Sequence, residues 1–100
     1  MITGMEGRYV LVRCTAAGVH AGVLESLQDG AATLTDSRRL WRWYAVDKTI
    51  SLSGVAVLGI THESTISIPV SRIVLLDPCE IMECTEQAER TIRAAQVARG

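Results

Sequence analysis

The sequence predicts an α+β fold that is mostly β: an antiparallel meander with one or two short helices and a helix at the C-terminal end. Three observations predict it. Short runs rich in β-branched residues follow one another, turn residues separate them, and the strongest helical pattern comes last. Connections of two or three residues favour antiparallel neighbours. The 100 residues also have the length of one domain, residues 1–100.

The first half of the chain predicts four strands joined by tight turns. Gly18 ends the first turn, and Asp29-Gly30 forms the second, because Asp-Gly accepts positive φ angles. A third turn is expected at residues 36–37. Gly22 lies inside the second strand and predicts a bulge or a close approach of two backbones. The four predicted strands are Arg8–Thr15, Val19–Leu27, residues 31–35 and Arg38–Tyr44.

The second half begins with an ambiguous segment, residues 51–59, with the sequence SLSGVAVLG. It reads as a short helix capped by Ser51 or Ser53 and ended by Gly59, or as a buried strand, and we favour the helix. Residues 65–76 then have strand character, but Pro69 cannot donate to a ladder and places an edge or a bend there.

The C-terminal segment predicts a short strand, residues 80–84, and then a helix. Thr85 is a good N-cap for this helix, and Glu86 follows it where the helix dipole favours an acid. Glu86–Arg90 and Glu89–Arg93 have the i,i+4 spacing and order that stabilise a helix. The predicted buried stripe of the helix is thin and consists of Ala88, Ile92 and Ala95.

Composition excludes several classes of function. The net charge is −1 and apolar residues make up 48% of the chain, so we expect no binding to a DNA or RNA polymer or to an anionic membrane. The sequence holds no apolar run of membrane-spanning length and begins without the pattern of a signal peptide. Three cysteines in no disulfide pattern suit a reducing compartment, so a cytoplasmic protein is expected.

Signatures of catalysis and metal binding are weak. The cysteines and histidines lack the spacings of a zinc site, and neither a nucleophile elbow nor a phosphate loop occurs, so we expect no metal, no cofactor and no enzyme. One alternative remains open: Cys14 and His20 lie across the first hairpin and suggest a thiol-dependent enzyme. A free cysteine on an apolar strand is, however, typical of a core residue.

The most distinctive stretch is SRRLWRWY, residues 37–44, which holds three of the four aromatic residues and three of the ten basic ones. In a strand, Arg39, Trp41 and Trp43 would share one face, and Arg38 would point to the other. Three interpretations of this stretch remain open. The rings are core residues and the arginines extend to the solvent, or the stretch forms a nucleotide site, or it forms an interface between subunits. In a nucleotide site, a ring would stack on a base and guanidiniums would pair with phosphates.

Three ordered motifs resemble a family of small phage and prophage proteins, the first type of anti-Thoeris sponge. The first is AGVHAG, residues 17–22, directly after the strand VLVR. The second is SRRLWRW, residues 37–43, followed by SLSGVAVLG. The third is IVLLDPCEIMECTEQAERTI, residues 73–92. Together they extend over nearly the whole chain.

The resemblance implies a protein that sequesters cyclic nucleotide immune signals without cleaving them. These are cyclic ADP-ribose isomers made by bacterial TIR-domain defence enzymes and, in some relatives, cyclic oligonucleotides of the CBASS system, such as cyclic oligoadenylates. It further implies a homo-oligomer, a dimer or a ring of dimers, in the cytoplasm of an infected or lysogenic host. The alternative is a small phage structural or protein-interaction module without a small-molecule ligand.

The resemblance also implies which residues bind the ligand. The arginines would contact phosphates, Trp41 would stack on a base or pack behind a stacking ring, and the last helix would reach a neighbouring subunit. The chain departs from the family pattern at Arg42 and at Tyr44-Ala45, which leaves the choice of ligand open. The ligand-binding residues implied are Arg13, Arg38, Arg39, Trp41, His62 and Arg90.

Overall fold

A computed structural model of the protein describes residues 3–47 and 51–97. Within these residues, six strands form one antiparallel sheet and two helices pack against it, which confirms the predicted fold class. In chain order the elements are β1 (Tyr9–Cys14), β2 (Val19–Gln28), β3 (Ala31–Arg42), α1 (Leu52–Leu58), β4 (Thr65–Ile66), β5 (Val70–Leu75), β6 (Pro78–Glu83) and α2 (Glu86–Ala94).

The centre of the sheet is the meander β1–β2–β3. Strand β6 pairs with the outer edge of β1, while β4 and β5 share the outer edge of β3. Residues 76–77 alone connect β5 to β6, although these two strands pair with opposite edges of the meander. The sheet therefore curls strongly, and the Asp77 carbonyl accepts a hydrogen bond from the backbone N of Thr15, 3.0 Å away.

Two hydrophobic clusters lie on the two faces of the sheet. The helix-side cluster includes Leu11, Leu40, Val55 and Ile92, and so joins the sheet to both helices. The opposite cluster contains residues of β1, β2, β3 and β5. Its buried members are Val10, Val12, Cys14, Leu24, Ala32, Leu34 and Leu75.

Several local predictions are confirmed by the backbone. Asp29 and Gly30 both have positive φ angles, 51° and 76°, in the turn between β2 and β3. Helix α1 occupies the ambiguous segment, with Ser51 accepting a hydrogen bond from Gly54 N. The Thr85 side chain likewise accepts from Ala88 N at 3.1 Å and caps α2.

Gly22 marks a close approach, as its position in the strand predicts. A Cβ atom at this position would lie 2.8 Å from the carbonyl oxygen of Thr35, closer than two such atoms can pack. Only glycine therefore allows β2 to approach β3 this closely at the bulge. Glu89 and Arg93 form the predicted ion pair of α2, with 2.8 Å between Oε2 and Nε.

The turn predicted at residues 36–37 is wrong, because β3 runs without interruption from Ala31 to Arg42. Asp36 has a φ of 49°, and the pairing with β2 passes from Thr35↔Val23 to Arg38↔Ala21, so β3 holds one extra residue. The extra residue is accommodated as a β-bulge that bends the strand, not as a turn that reverses it. Pro69 does interrupt the later strand, between β4 and β5.

Candidate functional site

A cavity of about 280 Å³ opens beside β3 and brings two of the predicted ligand-binding residues together. These are Arg39 and Trp41. Ile68, Val70 and Ile73 form an apolar wall, and the polar residues His20, Ser37 and Ser67 complete the lining. The residues that line the cavity are His20, Ser37, Arg39, Trp41, Ser67, Ile68, Val70 and Ile73.

The strand geometry explains why these side chains meet. Ser37, Arg39 and Trp41 are alternate residues of β3 and therefore share a face. His20 lies directly opposite Arg39 in the pairing of β2 with β3, and directly opposed residues also share a face. The bulge at Asp36 shifts the alternation, so that this face continues the one that carries Leu34.

The wall of the cavity is fixed to β3 through Ser67. The Ser67 backbone N donates to the Arg39 carbonyl at 2.9 Å, and the Ser67 hydroxyl accepts from the Arg39 backbone N at 2.7 Å. Ile68 and Val70 are thereby held beside the Arg39 side chain. The wall is thus positioned by the same residue that supplies the positive charge.

Trp41 and Trp43 do not share a face, contrary to the alternation expected from the sequence. Leu40 pairs with Ile66 and Arg42 with Thr65, which leaves one extra residue in β3 and makes Trp41 part of a second bulge. Trp43 packs against the helix-side cluster, whereas Trp41 is 58% exposed. The reading in which both rings are core residues is therefore wrong for Trp41.

Arg38 lies on the opposite face of the sheet and is only 3% exposed. Its Nη1 donates to the carbonyl oxygens of Ile92 and Ala95, at 2.8 and 2.7 Å, and its Nε donates to that of Ser67 at 2.8 Å. Carbonyls at a helix C-terminus have no partner within the helix, so this guanidinium caps α2. Within one chain, Arg38 therefore does not line the cavity that holds Arg39.

The other three predicted residues also lie apart from the cavity of Arg39 and Trp41. Arg13 is exposed on β1, with its Nε 3.3 Å from Oε1 of Glu80. His62 lines a separate cavity of about 340 Å³ beside the last turn of α2. Arg90 is exposed on α2. One chain thus brings together two of the six residues that the resemblance implied.

Burial favours the uncharged form of His20. The residue is 1% exposed, and desolvation lowers the pKa of its imidazole, although the hydrogen bond with the Ala17 carbonyl opposes this shift. The Nε2 atom lies 2.9 Å from the Ala17 carbonyl oxygen. Because a carbonyl can only accept, Nε2 carries the proton of the neutral ring and Nδ1 carries the lone pair. Arg39 is then the charged group of the lining.

Ser37 presents an unsatisfied hydroxyl. The residue is 2% exposed, and its Oγ has no hydrogen-bond partner among the described residues. Buried polar atoms without partners are rare in folded proteins. Sequence analysis did not select Ser37, and it considered His20 only as a partner of Cys14, so it missed both as ligand-binding residues. The available signals were the alternation from Ser37 to Arg39 and the hairpin register that follows from the turn at Gly18.

A second, more open cavity of about 440 Å³ adjoins the first, and Arg39 lines both. Asp77 also lines this second cavity. The Asp77 Oδ2 accepts hydrogen bonds from the backbone N of Ala16 and of Ala17, at 2.5 and 3.2 Å, and so holds the loop after β1. The Arg39 guanidinium is therefore accessible to a ligand that extends beyond one cavity.

The thiol-dependent alternative gains no support from the geometry. His20 lies opposite Val12, not Cys14, and its Nε2 is engaged by Ala17. Burial, with the nearby Asp77 carboxylate, raises the pKa of the Cys14 thiol to about 11, so the thiolate needed for nucleophilic attack is disfavoured. Residues 3–47 and 51–97 contain no group of three or more potential metal ligands and no helix long and apolar enough to cross a membrane.

Comparison with known proteins identifies one family. Residues 7–92 match the model of a domain of unknown function, DUF6948, a range that begins just before β1 and ends within α2. No curated protein and no solved structure matches the chain. Because the family model accounts for far more than half of the sequence, the chain belongs to the DUF6948 family.

Proposed function

We propose that the protein binds and sequesters a cyclic nucleotide immune signal without cleaving it, and that it thereby counteracts bacterial anti-phage defence. The ligands proposed are cyclic ADP-ribose isomers and cyclic oligoadenylates, encountered in the cytoplasm of the host. The observation that carries the proposal is the placement of the Arg39 guanidinium and the exposed Trp41 ring in the lining of one cavity.

The two side chains offer complementary contacts to a nucleotide. An exposed aromatic ring stacks on a base with roughly 1–3 kcal/mol of binding free energy. A guanidinium pairs with phosphate oxygens through two parallel hydrogen bonds. Because Arg39 also lines the adjoining cavity, a diphosphate at Arg39 would leave room for groups on either side of it.

Binding without cleavage suits the chemistry of this lining. Arg39 is permanently charged and cannot take up a proton, while burial favours the neutral form of His20. Among the residues that the structure describes, no paired carboxylates line the cavity. The lining thus offers groups that hold an anion and a base, and the proposal assigns it no bond-breaking step.

The proposal includes a homo-oligomer, a dimer or a ring of dimers. In the described residues β5 pairs with β3 alone, and apolar side chains on and beside it are exposed, including Val70, Val74 and Leu76. Open edge strands with apolar side chains are normally covered or paired. A second subunit would also be the source of Arg13, His62 or Arg90 in a shared pocket.

A second candidate function is a protein-interaction or structural module. The observation that favours it is the same exposed apolar surface, since Trp41, Ile68 and Val70 lie beside one another at the cavity rim. Aromatic residues and arginine are enriched at protein interfaces. This function predicts that nucleotides leave the emission of Trp41 unchanged.

The proposal is tested by titrating a panel of cyclic ADP-ribose isomers and cyclic di- and triadenylates into the protein in a calorimeter. Arg39→Ala should weaken binding by at least tenfold, because a charge-assisted pair to phosphate is lost. The matched control is Arg8→Ala, which removes an exposed arginine whose Nη1 lies 3.5 Å from Glu83 Oε2, away from the cavity. Equal binding by both variants would refute the site, and no binding across the panel would favour the interaction module.

A further inference from the structure

His20 and Ser37, the two buried polar residues of the lining, form the floor of the cavity. Both residues are at least nine-tenths buried. The Ser37 Oγ has no partner, and Nδ1 of His20 keeps a lone pair because Nε2 donates to Ala17. Polar groups in an otherwise apolar cavity are the usual source of ligand specificity.

We propose that His20 determines base specificity and selects a 6-aminopurine, adenine, over a 6-oxopurine, while Ser37 contacts either base. The proposal rests on the proposed nucleotide binding at this cavity. In it, His20 Nδ1 accepts a hydrogen bond from the amino group at position 6. The Ser37 hydroxyl donates to the adjacent ring nitrogen, and Trp41 stacks on the face of the same base.

The hydrogen-bonding pattern of the two bases explains the selection. Adenine presents an amino donor at position 6 beside an acceptor at N7, whereas a 6-oxopurine presents two acceptors at the same places. A carbonyl oxygen at position 6 would face the lone pair of His20 Nδ1, and neither atom could donate to the other. A site built to pair with a donor rejects an analogue that lacks it, because a buried acceptor is left unpaired.

The sheet fixes where His20 and Ser37 lie relative to Arg39. His20 pairs directly with Arg39, and Ser37 precedes Arg39 by two residues on the same strand face. The ligand contacts proposed for phosphate and base are therefore carried by adjacent, hydrogen-bonded strands. Such a rigid scaffold fixes the distance between the charge of Arg39 and the floor.

The test compares cyclic ADP-ribose with its inosine counterpart, which carries an oxygen in place of the amino group, by calorimetric titration. The wild-type protein should bind the adenine form at least tenfold more tightly. His20→Leu removes both ring nitrogens and with them the acceptor, and Ser37→Ala removes the hydroxyl that donates to N7 of either base. His20→Leu should reduce the discrimination to less than threefold, whereas Ser37→Ala should weaken binding of both forms by a similar factor and leave the discrimination unchanged.

Ser37→Ala also separates a ligand contact from a structural role. Since the Ser37 hydroxyl has no partner, its removal should leave the urea midpoint of unfolding unchanged or raised. Equal binding of the two nucleotides by the wild-type protein would overturn the assignment of His20 while leaving nucleotide binding intact. Failure to bind either nucleotide would overturn both this proposal and the proposed function. Discrimination that survives His20→Leu would overturn the His20 contact alone.

Discussion

The side chains of Arg38 and Arg39 are adjacent in the chain and lie on opposite faces of β3. Arg38 is buried and donates to the last carbonyls of α2, whereas Arg39 is exposed and lines two cavities. Strand alternation alone separates them. One arginine of the pair therefore stabilises the fold, and the other is free to contact a ligand.

Substitution of Arg38 should cost stability, and substitution of Arg39 should not. Arg38→Ala leaves the carbonyls of Ile92 and Ala95 without their donor, so we expect a loss of about 3 kcal/mol in the free energy of unfolding. Arg39→Ala, at an exposed position, should change it by less than about 0.5 kcal/mol. Urea denaturation followed by circular dichroism measures both, and equal losses would contradict the opposite placement of the two side chains.

Gly22 should tolerate no side chain. Gly22→Ala places a methyl group 2.8 Å from the Thr35 carbonyl oxygen, where backbone has to shift, and we expect a loss of about 2–3 kcal/mol. Gly18→Ala is the matched control, because a Cβ atom there meets nothing within 4 Å and only the positive φ of 86° is strained. It should cost about 1 kcal/mol. The midpoint temperature of thermal unfolding should therefore be clearly lower for Gly22→Ala than for Gly18→Ala.

His20 should make stability depend on pH. Burial lowers the pKa of its imidazole below the ordinary value of 6.5, so the unfolded chain binds its proton more readily than the folded chain. The stability it contributes is complete above about pH 6.5 and is lost as pH falls towards the folded value. Urea midpoints at about pH 7.5 and pH 5 should differ more for the wild-type protein than for His20→Gln. An identical difference in both proteins would show that His20 is solvated.

The two tryptophans should respond differently to a bound nucleotide. Trp41 is exposed at the cavity, whereas Trp43 packs against the helix-side cluster. A base stacked on Trp41 should quench its emission, so the response to cyclic ADP-ribose should vanish in Trp41→Phe and persist in Trp43→Phe. A response that depends on Trp43 would place the ligand elsewhere.

The order of elements was predictable from local signals. Asp29-Gly30 fixes a hairpin, and Ser51 and Thr85 mark the starts of the two helices, because each of these residues acts on its own segment. The turn predicted at residues 36–37 is wrong because it does not depend on local signals alone. A residue with positive φ fits either a turn or a bulge. Which of the two forms depends on how β3 pairs with β2, across the hairpin, and with β5, far away in sequence.

The candidate site was predictable only in part, because it depends on strand register. Alternation correctly places Arg39 and Trp41 on one face, but the bulge at Trp41 turns Trp43 into the core. His20 and Ser37 reach the cavity through register and burial, which no single segment reveals. The placement of Arg38 beneath α2 likewise requires the tertiary packing of the last helix on the sheet.

The most direct test of the central claim is to saturate the wild-type protein with cyclic ADP-ribose, remove the free ligand, denature the protein with heat and identify what is released. Sequestration predicts that the nucleotide is retained during removal of the free ligand and recovered intact, in an amount that Arg39→Ala reduces at least tenfold. Recovery of an opened or hydrolysed product would contradict binding without cleavage. Absence of retained nucleotide would contradict the site at Arg39 and Trp41 itself.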